Sequence, residues 1–348
     1  MKVFNLAFVL LFQLPFLCNE ALNAPASALT AENTKKPKTN KSDAANIVFR
    51  STDGGQTWQD ISQGLPVNSK GGVFFSNENE LYFRAGNVMY HSKLNSTVLD
   101  WKKAIFPNKQ MISPGKSGIL AYNYEGQFLQ KKNGTSEWRP IYPNFQGKHA
   151  HNVFETTGGT VLIGSCKGLY KLTNSGKTWK QVFTGGEIMK LAESNGVLLA
   201  TGREGILRST DDGESWNWVI SEGGMGVAVE NIRGGFAAIT FNSQSKTRRV
   251  RTSYDGGKTW EPIDAGLPTR VSVSPPWKLF DTHPPVLATT ASIIQFGEDL
   301  FCGHTIGIFR SSDKGKSWKL ILPSVENKVF NLSVSGNVIY AIPRSEGC

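Results

Sequence analysis

The fold class predicted by the sequence is all-β, and three observations predict it. An eight-residue box with the pattern S/T-x-D-x-G-x-S/T-W stands at 51–58, 209–216, 253–260 and 311–318. Trp58, Trp101, Trp138, Trp179, Trp216, Trp260 and Trp318 recur mostly at intervals of about 40 residues, the length of a four-stranded blade. After the last box come two apolar stretches, 329–334 and 337–342, with no box of their own. Together these predict a seven-bladed β-propeller of four-stranded antiparallel blades, closed by N- and C-terminal strands that share one blade.

The box is a turn between two strands. Apolar runs precede it (Ile47, Val48, Phe49; Ile206, Leu207; Ile308, Phe309) and short alternating runs follow it (Trp58 to Ile61; Trp318 to Ile321). Strand, polar glycine-containing turn and strand make a hairpin signature. The aspartate accepts hydrogen bonds from backbone N–H groups of its own turn. The glycine takes a positive φ at little cost, and the tryptophan opens the next strand with a large apolar surface. A fifth copy at 173–179 keeps the frame with Asn174 in place of Asp, 133–138 keeps only the turn, and 91–101 has lost the box. A catalytic aspartate needs an acid or base partner, and none recurs with the box, so the box reads as a staple.

This pattern resembles the Asp-box (BNR) repeat of sialidase-like β-propellers. The resemblance implies that the boxes are structural turns on the face opposite the ligand site.

In a complete module, 188–192 is the inner strand, 196–201 the second and 205–208 the third, followed by the box and an outer strand from Trp216. The same order is expected at 153–183 and 293–322. The first box has only one strand before it. Residues 329–342 supply the two missing strands, so six complete modules and one shared module make seven. Closure of this kind removes the free sheet edges that invite aggregation.

The 348 residues suffice for one propeller domain, expected at 46–348. Lys2, the apolar run 3–17 and Ala21, Ala24, Ala26 and Ala28 read as a signal peptide over 1–28. Its apolar run is short of the roughly 20 residues of a membrane span, and no other segment is suited to crossing a membrane. Cys18 raises a lipid anchor, although Leu17 is large for the position before such a cysteine. Residues 29–45, lysine-rich and without periodicity, read as a flexible linker. The expected location is secreted, periplasmic or extracellular, and the expected state a monomer. Cys166, Cys302 and Cys348 remain after the signal, an odd number. Cys302 and Cys348 form one conceivable pair that sequence does not decide. Zinc-ligand spacing is absent, and no cofactor or metal is expected. The N-x-S/T sequons at Asn40, Asn95, Asn133 and Asn331 carry meaning only in a eukaryotic secretory pathway.

Blade-to-blade loops and the loops between second and third strands share the face opposite the boxes. The residues expected there as ligand-binding are Lys148, His149, His151, Lys167, Arg203, Glu204, Arg248, Arg249, Trp277 and His304. Lys246 and Arg270 add to its charge, and the formal net charge of the chain is +10. Guanidinium groups around such a mouth suit carboxylate, sulfate or phosphate. Scattered, solvated loop charges are the competing reading. Trp277 and Phe280 belong to an irregular insertion at 267–292, where they either stack on a ligand or plug the mouth. His149 and His151 alternate on a strand start, with His304 expected nearby, yet a metal site wants a further ligand.

The export signal and the lack of interleaved aromatic and basic residues argue against nucleic acid. Two functions stay in play. Resemblance to sialidases implies an arginine triad, a tyrosine nucleophile with a glutamate partner and an aspartate acid/base. Here the Arg-Ile-Pro motif of that family is missing, sialidases have six blades, and Arg203, Arg249, Arg344, Glu204 and Tyr340 are only loose counterparts. Resemblance to seven-bladed photosystem II assembly factors, and to the larger sortilin-type receptor domains, implies a non-catalytic module that holds a protein, a peptide or an anionic glycan. A third resemblance, to endo-xyloglucanases, implies two propellers with paired aspartates, and this chain has one. The expectation is therefore a binding module, with exo-sialidase activity as the alternative.

Overall fold

A computed structural model describes residues 44–344 except 68, 70–73, 77–79, 87, 95–98, 105–110, 116–117, 124–125, 136, 146–149, 272–285 and 326–327. The predicted signal peptide, most of the predicted linker, Cys18 and Cys348, and the sequons at Asn40 and Asn95 lie outside the described residues.

Among the described residues, seven four-stranded antiparallel sheets and one two-stranded ribbon account for the strands. In six sheets the strands are hydrogen-bonded in chain order. Blade 1 holds Phe74–Ser76, Glu80–Ala85, Val88–Lys93 and Lys102–Lys103, and blade 2 holds Met111–Gly115, Gly118–Tyr122, Phe128–Lys132 and Trp138–Pro140. Blade 3 holds Ala150–Glu155, Val161–Ser165, Gly168–Thr173 and Thr178–Phe183, and blade 4 holds Leu191–Ser194, Val197–Gly202, Gly205–Ser209 and Asn217–Ile220. Blade 5 holds Gly226–Ile232, Gly235–Phe241, Arg248–Ser253 and Glu261–Pro262, and blade 6 holds Thr290–Phe296, Asp299–His304, Gly307–Ser311 and Lys319–Pro323.

Blade 7 is the shared one. Its order runs from Val329–Ser335 through Val338–Arg344 and Phe49–Ser51 to Gln59–Asp60. The first strand of the chain pairs with the last in the register Phe49↔Ala341, Arg50↔Tyr340 and Ser51↔Ile339. The predicted closure is present.

Among the described residues, seven apolar clusters occupy the seven junctions between blades. Ile47, Val48 and Tyr340 of blade 7 meet Leu81 and Phe83 of blade 1. Tyr82 meets Ile119 between blades 1 and 2, and Tyr122 meets Ile163 between blades 2 and 3. Leu162 meets Leu207 between blades 3 and 4, and Leu199 meets Val229 between blades 4 and 5. Ile239 meets Ile293 between blades 5 and 6, and Phe301 meets Phe330 between blades 6 and 7. Each strand alternates its two faces, so one blade buries apolar residues toward both neighbours. A fully buried aromatic or aliphatic side chain contributes about 1.5–3 kcal/mol, and every junction of the ring takes part in that gain.

Three details depart from the sequence reading. Ala44, expected in the linker, is 7% exposed and belongs to the cluster between blades 7 and 1. The inner strand of blade 4 begins at Leu191 rather than Ile188. Ile188 N instead donates to Ser165 O of blade 3 at 3.0 Å. The insertion, expected to be irregular, carries a short ribbon in which Arg270 faces Leu287 and Val271 faces Val286.

The four full boxes share one geometry. Asp53 accepts from Ser51 Oγ at 2.8 Å, from Gln56 N and Thr57 N at 3.0 Å and from Thr57 Oγ1 at 2.5 Å. Asp255 repeats this set with Ser253, Lys258 and Thr259. Asp211 and Asp313 use the serines on either side, Ser209 and Ser215, and Ser311 and Ser317. Two left-handed residues follow each aspartate, and the second is always glycine. A Cβ on Gly55 would meet Phe301 Cε1 at 2.7 Å, and one on Gly315 would meet Ile263 Cβ at 2.5 Å. Both contacts belong to the preceding blade, so the box glycine is required for docking between blades as well as for the turn. The fifth copy is held differently: Thr173 O accepts from Lys177 N at 3.1 Å, and Asn174 and Ser175 both have φ of 52°.

Three tryptophans staple their blades to the preceding segment, two of them where the box has decayed. Trp101 Nε1 donates to Ile61 O at 2.8 Å, Trp179 Nε1 to Pro143 O at 3.0 Å and Trp318 Nε1 to Ile263 O at 2.6 Å.

Candidate functional site

The box aspartates are not reactive carboxylates. Each box aspartate is held in its ionised form by donors of its own turn. The Thr57 hydroxyl brings Asp53 to about 2, the Ser215 hydroxyl brings Asp211 to about 2 and the Ser317 hydroxyl brings Asp313 to about 2. Asp255 is held lower still, chiefly by the Thr259 amide. Acceptors this well satisfied are poor general acids or bases at neutral pH.

The antiparallel order puts the links between second and third strands at the opposite end of each blade. Three successive links there carry an exposed cation: Lys167 in blade 3, Arg203 in blade 4 and Lys246 in blade 5. Among the described residues no carboxylate forms an ion pair with any of the three. Other cations are engaged. Lys171 binds Asp212 and Glu214 of the next box at 3.1 and 2.9 Å. Lys190 pairs with Glu230 at 2.6 Å, and Arg310 pairs with Asp299. Arg251, buried, bonds Thr240 Oγ1 and Glu222 Oε2. Exposed lysines also stand in box turns, at 177, 258 and 316, so what marks Lys167, Arg203 and Lys246 is their equivalent place in three neighbouring blades.

The residues expected on this face divide in the same way. Arg203 and Glu204 are exposed at the turn of blade 4, and a Cβ on Gly186 would lie 3.5 Å from Arg203 Cβ. Arg248 reaches across to Thr290 O of blade 6 at 2.7 Å. Arg249 is taken by Asp264, with Nε to Oδ2 at 2.6 Å and Nη2 to Oδ1 at 3.2 Å, and that hydrogen bonding raises the guanidinium pKa further. His304 is not on the surface: it is 1% exposed. Its Nε2 lies 3.0 Å from Pro268 O, its Nδ1 accepts from Ile306 N at 3.2 Å, and its ring packs edge-on against Phe309. A histidine with both nitrogens used in the core is a packing residue. Lys148, His149, Trp277 and Phe280 lie outside the described residues.

His151 has different neighbours from those expected. Its Nε2 lies 3.0 Å from Cys166 Sγ and 3.1 Å from Glu187 Oε1. The three ligand atoms all fall within 4.8 Å of one another. His151 stands near the start of the inner strand of blade 3, Cys166 in the turn after its second strand, and Glu187 in the crossing to blade 4. Gly164 makes this possible. A Cβ there would meet Ile188 O at 2.6 Å, so only glycine lets the crossing lie on the end of Val161–Ser165. The bond from Ile188 N to Ser165 O then fixes Glu187 above Cys166. Tyr122 Oη donates to His151 O at 2.7 Å and anchors the backbone on the other side. Trp218 covers Gly202 and packs edge-on against Phe183, walling the junction toward blade 4.

Tyr340, the loose counterpart of a tyrosine nucleophile, is not placed to act as one. It is 1% exposed, packs against Phe74 and has its pKa pushed up to about 12 by burial.

Comparison with known proteins agrees with the fold. The BNR/Asp-box repeat profile matches residues 49–60. No curated protein matches the chain significantly in sequence. Among solved structures, the GH74 xyloglucanase of Xanthomonas campestris aligns at 15% identity and a TM-score of 0.55, covering 82% of this chain and 53% of that one. The chain therefore spans about half of that enzyme. The extracellular domain of BT4673 from B. thetaiotaomicron aligns at 8% identity and a TM-score of 0.54, covering 88% of this chain and 40% of that one. YCF48 from Cyanidioschyzon merolae aligns at 14% identity and a TM-score of 0.49, covering 86% and 89%. At these identities the first two likenesses speak to the fold alone. The chain is a seven-bladed propeller with Asp-box repeats.

Proposed function

We propose that this Asp-box propeller is a binding module that takes an anionic protein segment, peptide or glycan on its loop face. The observation that carries this is the arc of Lys167, Arg203 and Lys246, exposed at equivalent turns of three neighbouring blades. Cations that serve the fold have partners: Lys171, Lys190, Arg249, Arg251 and Arg310 all do. A run of positive charge with no ion pair among the described residues gives a local field that attracts and orients an anion. The guanidinium of Arg203 adds a planar fork for a carboxylate, sulfate or phosphate.

The same residues argue for binding rather than hydrolysis. The box aspartates are satisfied acceptors, Arg249 is bound to Asp264 and Tyr340 is buried. The apolar run at 3–17 supports action outside the cytoplasm. Among the described residues no helix is long and apolar enough to cross a membrane.

An array of sulfated, sialylated and neutral glycans with acidic and neutral peptides tests the reading at low and high salt. Binding confined to the anionic members and weakened by salt supports it. Binding only to neutral members, or release of a sialic acid conjugate by the purified chain, contradicts it.

A further inference from the structure

We propose that His151, Cys166 and Glu187 form a binding site for a zinc-class divalent cation on the loop face, at the junction of blades 3 and 4. The inference does not rest on the binding function above. It rests on the convergence of an imidazole, a thiol and a carboxylate from three separate segments.

The contacts make poor sense as hydrogen bonds alone. Cys166 Sγ and Glu187 Oε1 approach the same nitrogen, His151 Nε2, at 3.0 and 3.1 Å. If that nitrogen carries a proton, two acceptors compete for it. If it does not, the carboxylate oxygen faces a lone pair. A cation between them satisfies all three ligands at once.

The geometry and chemistry fit zinc. Tetrahedral zinc holds nitrogen and oxygen near 2.0–2.2 Å and sulfur near 2.3 Å, which sets ligand atoms roughly 3.3–3.7 Å apart. The two contacts at His151 Nε2 need to open by only a few tenths of an ångström, and all three ligand atoms already lie within 4.8 Å of one another. Thiolate with imidazole selects zinc and its softer relatives over magnesium or calcium. The site is partly closed, with the His151 side chain 24% exposed and that of Glu187 50%. The backbone on both sides is fixed, by Tyr122 at His151 and by the bond from Ile188 to Ser165. With three protein ligands among the described residues, water or an acidic group of a bound molecule completes the tetrahedron. Gly186 places Arg203 beside the crossing that carries Glu187, so such a group would have a guanidinium nearby.

The test uses the reduced, metal-free full chain, titrated with Zn²⁺ by calorimetry and with Co²⁺ by absorption. One ion is expected per chain, with a thiolate-to-cobalt charge-transfer band. Cys166→Ser should abolish the band and lower Zn²⁺ affinity by at least about tenfold. Glu187→Gln should keep the band and lose about tenfold in affinity. Cys302→Ser, altering a thiol buried in blade 6, should leave both unchanged. Zn²⁺ should also slow alkylation of Cys166 in the unmodified chain, mapped by mass spectrometry, which needs no variant to fold. Absence of stoichiometric Zn²⁺ binding, a band that survives Cys166→Ser, or alkylation of Cys166 indifferent to Zn²⁺ would overturn the site.

Discussion

Arg50 and Tyr340 stand opposite one another in a single antiparallel ladder, although one lies in the first described strand and the other in the last. Their pairing joins the two ends of the sequence into blade 7. Every other blade is continuous in chain order, so the ring has one seam.

The seam should control cooperativity. Deleting 329–348 removes two strands of blade 7 and leaves the apolar faces of blades 6 and 1 uncovered. The truncated chain is expected to lose its cooperative unfolding transition in urea, followed by far-UV circular dichroism. Phe330→Ala, emptying part of the cluster shared with Phe301, should cost about 3–5 kcal/mol while keeping a single transition.

The boxes make stability depend on acid. Asp53, Asp211 and Asp313 are held at about 2 in the folded chain, first by the box hydroxyls. An unfolded aspartate titrates near 3.9. A carboxyl group whose pKa falls on folding contributes stability that is whole above the unfolded value and fades as pH drops through the folded one. Thermal midpoints should thus be insensitive to these groups above about pH 5 and fall between roughly pH 4 and 2. Asp53→Asn should flatten part of that fall, and an unchanged profile would count against the staple.

Steric docking of the box glycine can be separated from its backbone requirement. Gly266 and Gly315 have φ of 89° and 87°. Nothing lies within 4 Å of a Cβ on Gly266, whereas one on Gly315 meets Ile263 Cβ at 2.5 Å. Gly266→Ala should cost about 1–2 kcal/mol from left-handed backbone alone. Gly315→Ala should cost that and a further 1–3 kcal/mol or so of overpacking. Equal losses would mean that the contact between blades yields freely.

Much of this was readable in advance. The box spells a hairpin locally, because Asp53, Gly55 and Thr57 act within one turn. Tryptophan spacing gives blade count because each blade repeats the same four strands. The strands after the last box give the closure, since an incomplete module at one end needs its complement at the other. The site was less legible. Cys166 and Glu187 meet His151 only because Gly164 admits the crossing at Ile188, and no periodic pattern records such a contact. His304 looked like a surface loop residue, yet the ribbon that begins at Arg270 brings Pro268 over it. Arg249 read as a free cation because its partner, Asp264, lies beyond the next box.

Charge on the loop face should be separable from stability. Lys167→Glu, Arg203→Glu and Lys246→Glu alter exposed positions, and each is expected to change stability by less than about 0.5 kcal/mol. Together they should weaken binding of an anionic ligand and reduce its salt dependence. Arg249→Ala, which breaks the partly buried pair with Asp264, should act on stability, by about 1 kcal/mol or somewhat more.

The most direct test of the account is a hydrogen-exchange footprint of the chain with a sulfated heparin fragment at low salt. The account predicts protection at the turns carrying Lys167, Arg203 and Lys246, and none at the box turns that follow Asp53, Asp211, Asp255 and Asp313. Protection at the box turns, or no binding at all, would contradict it.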